Sequence, residues 1–369
     1  MMNFLLSHNT VRNESRSWCS LLLAVSIVLF AAQASAYEID PDATLHDSPT
    51  SLMGVNHIGL SVRDLDASLA FYQAATEFKL VRREVVRNNA AADNLFGRAN
   101  VEYEIAVLEA PNMLFELIEF SHNRDLPISN MPVQGPGMTH TCFQSPAHVS
   151  GYGKFKRAGA QMLSRGDGPV DLLGQGVTYA YGYDPEGNML ELEQLDFARL
   201  GGDTRSPEWI AQGFDIWMTQ VALVTHDIER LTDYYSTIMG FNPYRTADIE
   251  GRPTFDDATD IDNVSLRVMF FRMAQTRKSM EFWEYVNPAT PAPAGKRAVT
   301  APGYSYSLEV GDIQAEYQRM SDLGVEFVSE PVLLGDYWQV YAHDIDGNVF
   351  ALRQWEDPNS PWSVPNLEL

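Results

Sequence analysis

The sequence predicts an α+β fold made of four strand–helix–strand–strand–strand units that pair into two modules. Two observations predict this class: a long internal repeat that keeps its register, and a shorter unit that follows each copy and ends in the same hairpin pattern. A repeat at a constant spacing indicates that one supersecondary unit is used more than once. We therefore expect every unit to contain one helix and a small set of strands.

The long repeat opens with a strand and a helix. In the first copy, residues 57–62 alternate as a half-buried strand does, and Asp64 begins a helix. In the second copy, residues 220–224 form the strand and Asp227 begins the helix. Positions 220 and 227 stand the same distance after 57 and 64, so the copies stay in register. Each helix carries an adjacent aromatic pair, Phe71-Tyr72 in the first copy and Tyr234-Tyr235 in the second.

Three further strands are predicted after each helix, the last of them at residues 113–120 and 280–285. Shorter units follow and begin at Gly137 and Gly303. Both shorter units close on a hairpin pattern in which glycine supplies the positive φ that a tight turn needs. The two hairpins read Asp184-Pro185-Glu186-Gly187-Asn188 and Asp344-Ile345-Asp346-Gly347-Asn348.

The repeats divide the chain into two modules, residues 53–197 and 215–357. The linker predicted between them is 198–214, where small and polar residues from Gly201 to Pro207 interrupt the strand patterns. A proline-rich stretch at residues 288–302 indicates a loop inside the second module.

Residues 1–36 differ from the rest of the chain and are predicted to be an export signal. Two arginines precede an apolar run at residues 21–32, and Ala34-Ser35-Ala36 follows as a cleavage site. The run is shorter than the roughly 20 residues that a membrane-spanning helix needs, which favours cleavage over anchoring. We expect a periplasmic or extracellular protein that has no membrane anchor after cleavage and keeps Cys142 as its sole thiol.

The charge balance argues against several classes of partner. Acidic residues outnumber basic ones 49 to 26, which gives a formal net charge of -23, and no cluster of Lys and Arg interrupts the sequence. A nucleic acid or an anionic membrane surface is therefore not expected as a partner. The same acidity repels an anionic substrate at a distance, although a local arginine would still bind one. A small-molecule substrate is expected, and the sequence does not indicate an oligomeric state.

The repeated strand–helix opening with its aromatic pair and the Asp-Pro-x-Gly-Asn type of hairpin together resemble a known superfamily. They are similar to the glyoxalase, bleomycin resistance and extradiol dioxygenase proteins, the vicinal oxygen chelate superfamily, over about Val55 to Trp355. The resemblance implies that the units pair into two curved half-barrels. It also implies that metal ligands lie on the first and last strands of each unit and point into the barrel.

In the first module, the resemblance places the ligands at His57, Glu116, His140 and Glu191. Two neutral imidazoles and two carboxylates would balance one divalent ion, and Zn, Ni, Co, Mn or Fe(II) would each suit such a set. A buried carboxylate also needs a partner, because leaving it unpaired costs free energy. Any one of these histidines alone is more often an ordinary core residue than a ligand. Glu193 shares the strand parity of Glu191 and is the alternative fourth ligand.

The second module is expected to lack a metal. Its equivalent positions read Gln220, Glu281, Tyr306 and Ala351, and only Glu281 is a usual ligand type. The loss of a carboxylate at Ala351 is the main reason. This module is expected to be structural or to form the other wall of a cleft.

For function, the resemblance implies a metal that binds adjacent oxygens of a substrate and stabilises an enediolate. We expect a metal-dependent lyase or isomerase acting on a small carbonyl compound, with Glu191 as the base and Glu116 as its counterpart. A glutathione substrate is disfavoured by the predicted export. Two alternatives remain: an Fe(II) extradiol-type dioxygenase that uses His57, His140 and Glu191, and a non-catalytic small-molecule binding protein of the same fold.

Overall fold

The computed structural model describes residues 38–202, 206–273 and 278–367. The export signal predicted at residues 1–36 lies outside the described residues and stays a prediction, which amino-terminal sequencing of the secreted chain would check. Within the described ranges, none of the helices combines the length and the apolar character that crossing a bilayer requires.

Four units follow one another as the repeat predicts, and two of them contain an additional short helix. The first unit comprises β1 Leu52–Val62, α1 Leu65–Thr76, β2 Lys79–Val86, α2 Ala90–Leu95, β3 Tyr103–Glu109 and β4 Leu114–Phe120, flanked by one-turn 3-10 helices at Leu45–Asp47 and Ser121–Asn123. The second unit comprises β5 Gly137–His140, β6 Cys142–Pro146, α3 Gly151–Ala158, β7 Gln161–Met162, β8 Val170–Asp171, β9 Val177–Tyr183 and β10 Met189–Leu195.

The second half repeats this order after two short linker helices, α4 Phe197–Leu200 and α5 Ser206–Ala211. The third unit comprises β11 Trp217–Met218, β12 Gln220–Val224, α6 Ile228–Met239, β13 Arg245–Ile249, α7 Pro253–Thr259, β14 Ser265–Arg272 and β15 Ser279–Asn287. The fourth unit comprises β16 Gly303–Val310, α8 Ile313–Asp322, β17 Glu326–Phe327, β18 Val332–Leu334, β19 Tyr337–His343 and β20 Val349–Trp355, and α9 Val364–Leu367 follows it.

The repeated helix starts are produced by aspartate caps. The Asp64 carboxylate accepts a hydrogen bond from the Ala67 N–H at 2.9 Å, and Asp227 accepts one from the Arg230 N–H at 3.0 Å. Each cap satisfies a backbone donor that the first turn of a helix leaves without a partner. The α6 helix then ends at Gly240, whose φ of 75° is readily adopted by glycine.

The two hairpins and the aromatic pairs are connected to each other, which explains why they occur together in the repeat. The Tyr72 hydroxyl on α1 donates to Asp184 at 2.8 Å, and the Tyr235 hydroxyl on α6 donates to Asp344 at 3.0 Å. Each of these aspartates also accepts backbone N–H groups of its own hairpin. The helix of a long unit is thus fixed to the closing hairpin of the short unit that follows it.

The sheets, in contrast, form between modules. The strands of the first and fourth units make one nine-stranded sheet, in which β1 runs antiparallel to β16 and parallel to β4. The second and third units meet where β5 pairs with β12 and β6 pairs with β11, so that the six-stranded and five-stranded sheets are adjacent there. The α+β class with four units in two curved assemblies is confirmed. Pairing within each sequence module is not observed.

This pairing has a physical reason. The first strand of each unit leaves one edge unpaired, and a free edge is satisfied by any antiparallel strand of matching register. The edge of β1 meets β16, with His57 opposite Ser307, and the edge of β5 meets β12, with His140 opposite Ala222. In the first module the helices of the long and the short unit pack together, α1 against α3. Each sequence module therefore contributes one of its two units to the nine-stranded sheet and the other to the six-stranded and five-stranded sheets.

The predicted linker is partly structured. Its two helices lie on either side of residues 203–205, which are outside the described ranges. Trp209 on α5 is buried and its ring lies 5.0 Å from that of Trp217 on β11. The linker therefore contributes to the core beside the second and third units.

Candidate metal and substrate site

The first predicted pair of ligands, His57 on β1 and Glu116 on β4, is buried in the nine-stranded sheet. The His57 Nε2 atom lies 3.3 Å from a Glu116 carboxylate oxygen. The guanidinium of Arg353 on β20 donates to both oxygens of the same carboxylate, at 2.6 and 3.2 Å. Gln339 on β19 accepts from the Arg353 Nε at 2.8 Å. A cation from the fourth unit therefore already neutralises Glu116.

The electrostatics of this pair are those of a closed ion pair. Burial would raise the pKa of Glu116, but Arg353 and His57 outweigh it and hold the pKa at about 2. Burial, together with the nearby Arg353 charge, lowers the pKa of His57 to about 3. Glu116 is ionised and His57 is neutral at physiological pH, so the cluster carries one negative and one positive charge.

Neighbouring side chains hold both Arg353 and His57 in position. Its guanidinium carbon lies 4.1 Å from the centre of the Tyr337 ring, an arrangement typical of a cation–π contact. His57 is oriented through its Nδ1 atom, 3.1 Å from the Asn56 side-chain oxygen. The structure brings His57 and Glu116 together in the nine-stranded sheet, with Arg353 as the cation at Glu116, and brings His140 and Glu191 together on the other two sheets. A single metal held by all four residues, with Glu116 as the counterpart base, stays a prediction.

The second predicted pair, His140 and Glu191, lies where the second and third units meet. The His140 Nε2 atom is 3.6 Å from a Glu191 oxygen, slightly too far for a hydrogen bond. His140 stands opposite Ala222 of β12, and Ala222 in turn stands opposite Glu281 of β15. Directly paired residues of a sheet project from the same face, so His140 and Glu281 share one face. Gln220 is two residues before Ala222 and belongs to that face as well.

The donor atoms of this cluster lack partners. Within the described part of the chain, three buried atoms here have no hydrogen-bond partner: His140 Nε2, Glu191 Oε2 and Gln220 Oε1. Orphaned buried polar atoms are rare because each costs free energy. The other sides of two of these groups are fixed, since Thr139 lies 2.9 Å from His140 Nδ1 and the Tyr181 hydroxyl donates to Glu191 at 3.1 Å.

Two further carboxylates lie close by and have strongly perturbed acidity. Burial and the nearby Glu191 charge raise the pKa of Glu281 to about 8. The same two causes raise the pKa of Glu193 to about 7, although Gln144 and Tyr179 donate hydrogen bonds to it. Three buried carboxylates, Glu191, Glu193 and Glu281, thus share this region. The alternative ligand Glu193 already accepts hydrogen bonds from neighbouring side chains. One oxygen of Glu191, in contrast, has no hydrogen-bond partner among the described residues.

The acidic cluster is not a preassembled metal cage. No group of three or more His, Cys, Asp and Glu side chains in the described ranges is spaced to hold a metal ion. Glu281 accepts a hydrogen bond from the Ser279 hydroxyl at 2.9 Å. Gln220 supplies an amide oxygen as an additional donor. A metal here would require Glu281 to rotate away from Ser279.

A cavity of about 780 Å³ opens onto this cluster. One wall includes Glu191 and Tyr181 of the six-stranded sheet, and another includes Gln220, Glu281 and Trp283 of the five-stranded sheet. The five-stranded sheet continues through β14 and β13, which line the cavity together with the start of α7. The residues of this part of the wall include Tyr244, Arg245, Ala247, Ile249, Arg252, Phe255, Val268, Phe270 and Arg272. The nine-stranded sheet contributes nothing to this lining.

Comparison with known proteins agrees with the fold and the repeat. Residues 54–192 and 219–341 each match a sequence profile of the glyoxalase/bleomycin resistance protein/dioxygenase superfamily. The chain belongs to this superfamily.

Individual superfamily members resemble the chain to different extents. Over 145 residues it is 25% identical to an ethylmalonyl-CoA/methylmalonyl-CoA epimerase of Cereibacter sphaeroides, a match that covers 38% of this chain and 97% of the epimerase. Glyoxalase I from Zea mays superposes with a TM-score of 0.54 at 19% identity, over 82% of this chain and 92% of the maize chain. A putative dioxygenase from Bacillus subtilis gives 0.54 at 12% identity, over 84% and 87%. The structural matches establish the common fold.

Within this superfamily fold, sequence reasoning missed two features of the site. Arg353 could have been noticed, because it shares the parity of Ala351 in an otherwise apolar strand and a buried arginine requires a carboxylate partner. No local sequence pattern indicates that Gln220 and Glu281 share a sheet face with His140. This shared face follows only from the pairing of β5 with β12.

Proposed function

We propose that this protein is a metal-dependent lyase or isomerase that moves a proton on a carbon next to a carbonyl group. The divalent ion would be held by His140, Glu191, Gln220 and Glu281. The observation that carries this proposal is a set of three buried donor atoms without partners among the described residues: Glu191 Oε2 and Gln220 Oε1, whose residues line the cavity, and His140 Nε2, 3.6 Å from a Glu191 oxygen.

The donor set fits such an ion in chemistry and in charge. An imidazole, an amide oxygen and two carboxylates suit a borderline divalent metal such as Zn, Ni, Co, Mn or Fe(II), and two carboxylates balance its charge. Thr139 at Nδ1 leaves the Nε2 atom of His140 as the ligand atom, which is the usual arrangement behind a metal-bound histidine. A cation would also offset the burial and the repulsion from Glu191 that together raise the pKa of Glu281.

The carboxylates supply the acid–base chemistry. A bound divalent ion would withdraw electron density from the carbonyl oxygen and make the adjacent C–H bond more acidic. Glu191 on one wall takes the proton, and the electron pair of the broken C–H bond moves onto the carbonyl oxygen. Delivery of the proton from Glu191 to the neighbouring carbon completes an isomerisation, whereas delivery of a proton from a protonated Glu281 to the opposite face of the same carbon completes an epimerisation and leaves the abstracted proton on Glu191. The cavity walls limit access of water to these carboxylates, which are nine-tenths or more buried.

The epimerase relative fits this chemistry. Epimerisation of a substituted malonyl thioester requires loss and return of the proton between two carbonyl groups. A site with one acidified C–H bond and carboxylates on two walls is suited to that step. The likeness to this epimerase thus supports proton-transfer chemistry as the proposed function.

The arrangement disfavours the dioxygenase alternative. An Fe(II) site of that type uses two histidines and one carboxylate. His57, which would be the second histidine, belongs to the closed cluster with Glu116 and Arg353. His140 is the one imidazole of the proposed site.

Anaerobic deuterium exchange tests the proposal. The metal-loaded protein is incubated in D₂O with a panel of α-hydroxycarbonyl compounds and substituted malonyl thioesters, and exchange at the α-carbon is followed by NMR. We expect metal-dependent exchange with at least one of these classes. Glu191→Gln should abolish it because the base is lost, whereas Glu119→Gln, a carboxylate on β4 that accepts the Leu65 N–H, should keep it.

Two results would overturn the proposal. One is Fe(II)-dependent oxygen uptake with a catechol in place of proton exchange. The other is exchange that persists in Glu191→Gln at the rate of the unchanged protein.

A further inference from the structure

The part of the cavity wall formed by β13 and β14 carries two arginines in register with the proposed ligands Glu281 and Gln220. Arg245 on β13 stands opposite Phe270 on β14, which stands opposite Glu281. In the neighbouring row, Arg272 on β14 and Gln220 on β12 both stand opposite Ser279. Both arginines line the same cavity. The two rows thus run from a cationic wall to the proposed ligands.

Neither arginine is used by the fold as an ion pair. In the described part of the chain, no carboxylate lies within 4.0 Å of Arg245 or Arg272, although Glu281 is near enough to Arg245 for the charges to interact. Their guanidinium groups rest on aromatic rings, Arg245 at 3.8 Å from the Phe270 centre and Arg272 at 4.3 Å from the Tyr244 centre. Arg272 makes one long hydrogen bond, 3.5 Å, to the Pro41 carbonyl. Stacking leaves the in-plane N–H donors of a guanidinium available to a ligand.

The neighbouring arginine on β14 behaves differently. Arg267 projects from the opposite face and pairs with Glu229, Glu284 and Asp248. In a chain with a net charge of -23, carboxylates are available for almost any cation. Two arginines without one, both on the wall of a cavity, indicate a site that keeps its positive charge for a ligand.

We propose that the substrate carries an oxyanion, a carboxylate or a phosphate, that binds Arg245 and Arg272 while its carbonyl group lies at the metal site. This substrate class rests on the proposed function. The oxyanion site is separate from the proposed metal site, since β13 lies two strand spacings, about 10 Å, from β15. The oxyanion and the reacting carbonyl are therefore joined through several atoms.

The segment between these two ends is apolar. Phe270 lies under Arg245 and between it and Glu281 in the row. Phe255 on α7 and Leu172, which follows β8, line the same cavity. A hydrocarbon or aromatic linker between the oxyanion and the carbonyl would bury its surface there.

Binding of small probes tests this assignment without turnover. Dissociation constants of phenylacetate, phenyl phosphate and the neutral phenylacetamide are measured by NMR titration, with the protein metal-loaded and after chelation. We expect either anion to bind about tenfold or more tightly than the amide, the effect of a charge-assisted hydrogen bond. Arg245→Gln and Arg272→Gln should each remove about tenfold of the anion's affinity. Neither should alter amide binding. The matched control Arg267→Gln should change nothing.

The outcomes separate this inference from the proposed function. A preference for the anions that Arg245→Gln abolishes, in a protein that binds no metal, supports the oxyanion site and contradicts the metal-dependent function. Equal affinity for phenylacetate and phenylacetamide, in a protein that does bind its metal, overturns the oxyanion site alone. Stronger binding of phenyl phosphate than of phenylacetate assigns the oxyanion as a phosphate, and the reverse assigns it as a carboxylate.

Discussion

Each of the two sheet assemblies contains a buried histidine–glutamate pair, but the residues that surround the two pairs differ. His57 and Glu116 stand on the first and last strands of the first unit, as His140 and Glu191 do in the second. The fourth unit adds Arg353 to the first pair, whereas the third unit adds Gln220 and Glu281 to the second. The guanidinium of Arg353 makes an ion pair with Glu116. In our proposal the two further oxygen donors help to hold a divalent ion, so that the partner unit determines the role of each pair.

The largest expected effect comes from removing the internal cation of the first assembly. Arg353→Met leaves Glu116 buried and unpaired, so we expect a loss of about 3 to 5 kcal/mol in the free energy of unfolding. Urea unfolding of the variant and of the unchanged protein at neutral pH measures it. The double variant Arg353→Met with Glu116→Gln should recover most of the loss, because no unpaired charge remains.

Additive effects of the two changes would contradict the role of Arg353 as the partner of Glu116. A matched control is Arg267→Met on β14, whose side chain is a third exposed and pairs at the surface. That change should cost less than about 1 kcal/mol.

The second prediction concerns acid. The pKa of Glu116 is about 2 in the fold against a usual 4.5, so its stabilising effect is full above pH 4.5 and is lost as the pH falls towards 2. The pKa of His57 is about 3 against 6.5, so the unfolded chain takes up this proton first and stability also falls from pH 6.5 to 3. We expect the unchanged protein to lose about 2 to 3 kcal/mol more than the Glu116→Gln, Arg353→Met variant between pH 4.5 and 2.

Unfolding free energies of the two proteins across that range provide the test. The comparison removes the contribution of carboxylates that both share, including Asp344, whose pKa burial raises to about 6. Parallel curves for the two proteins would show that Glu116 is not held ionised by Arg353.

Short-range features of the fold could be predicted from the sequence, and the contrast between the assemblies could not. Asp64 and Asp227 cap their helices because a cap depends on residues three positions apart. Strand partners depend on the whole chain. Since β1 and β5 open their units with similar alternation, the sequence alone allows either to pair with β12 or with β16. His140 and Glu191 could be picked out as candidate ligands from their residue types, but the residues that surround them follow from that pairing.

The smallest effect is expected at the support of Glu191. Tyr181→Phe removes the hydroxyl that donates to Glu191 and should weaken metal binding about 10- to 100-fold while the fold stays intact. Tyr183→Phe on the same strand removes a hydroxyl that donates to the Met131 carbonyl and serves as the matched control. Competition with a chelator of known affinity measures both. Equal metal affinities of the two variants would argue against Glu191 as a ligand.

The most direct test of the account is the metal content of two matched variants, His57→Gln and His140→Gln. Each replaces one buried histidine by a side chain of similar size, one in each assembly. After purification without chelators and reconstitution with a divalent metal, elemental analysis gives the ions bound per chain. We expect one ion in the unchanged protein and in His57→Gln, and almost none in His140→Gln. Loss of the ion in His57→Gln, or its full retention in His140→Gln, would contradict the assignment of the metal site to the second and third units.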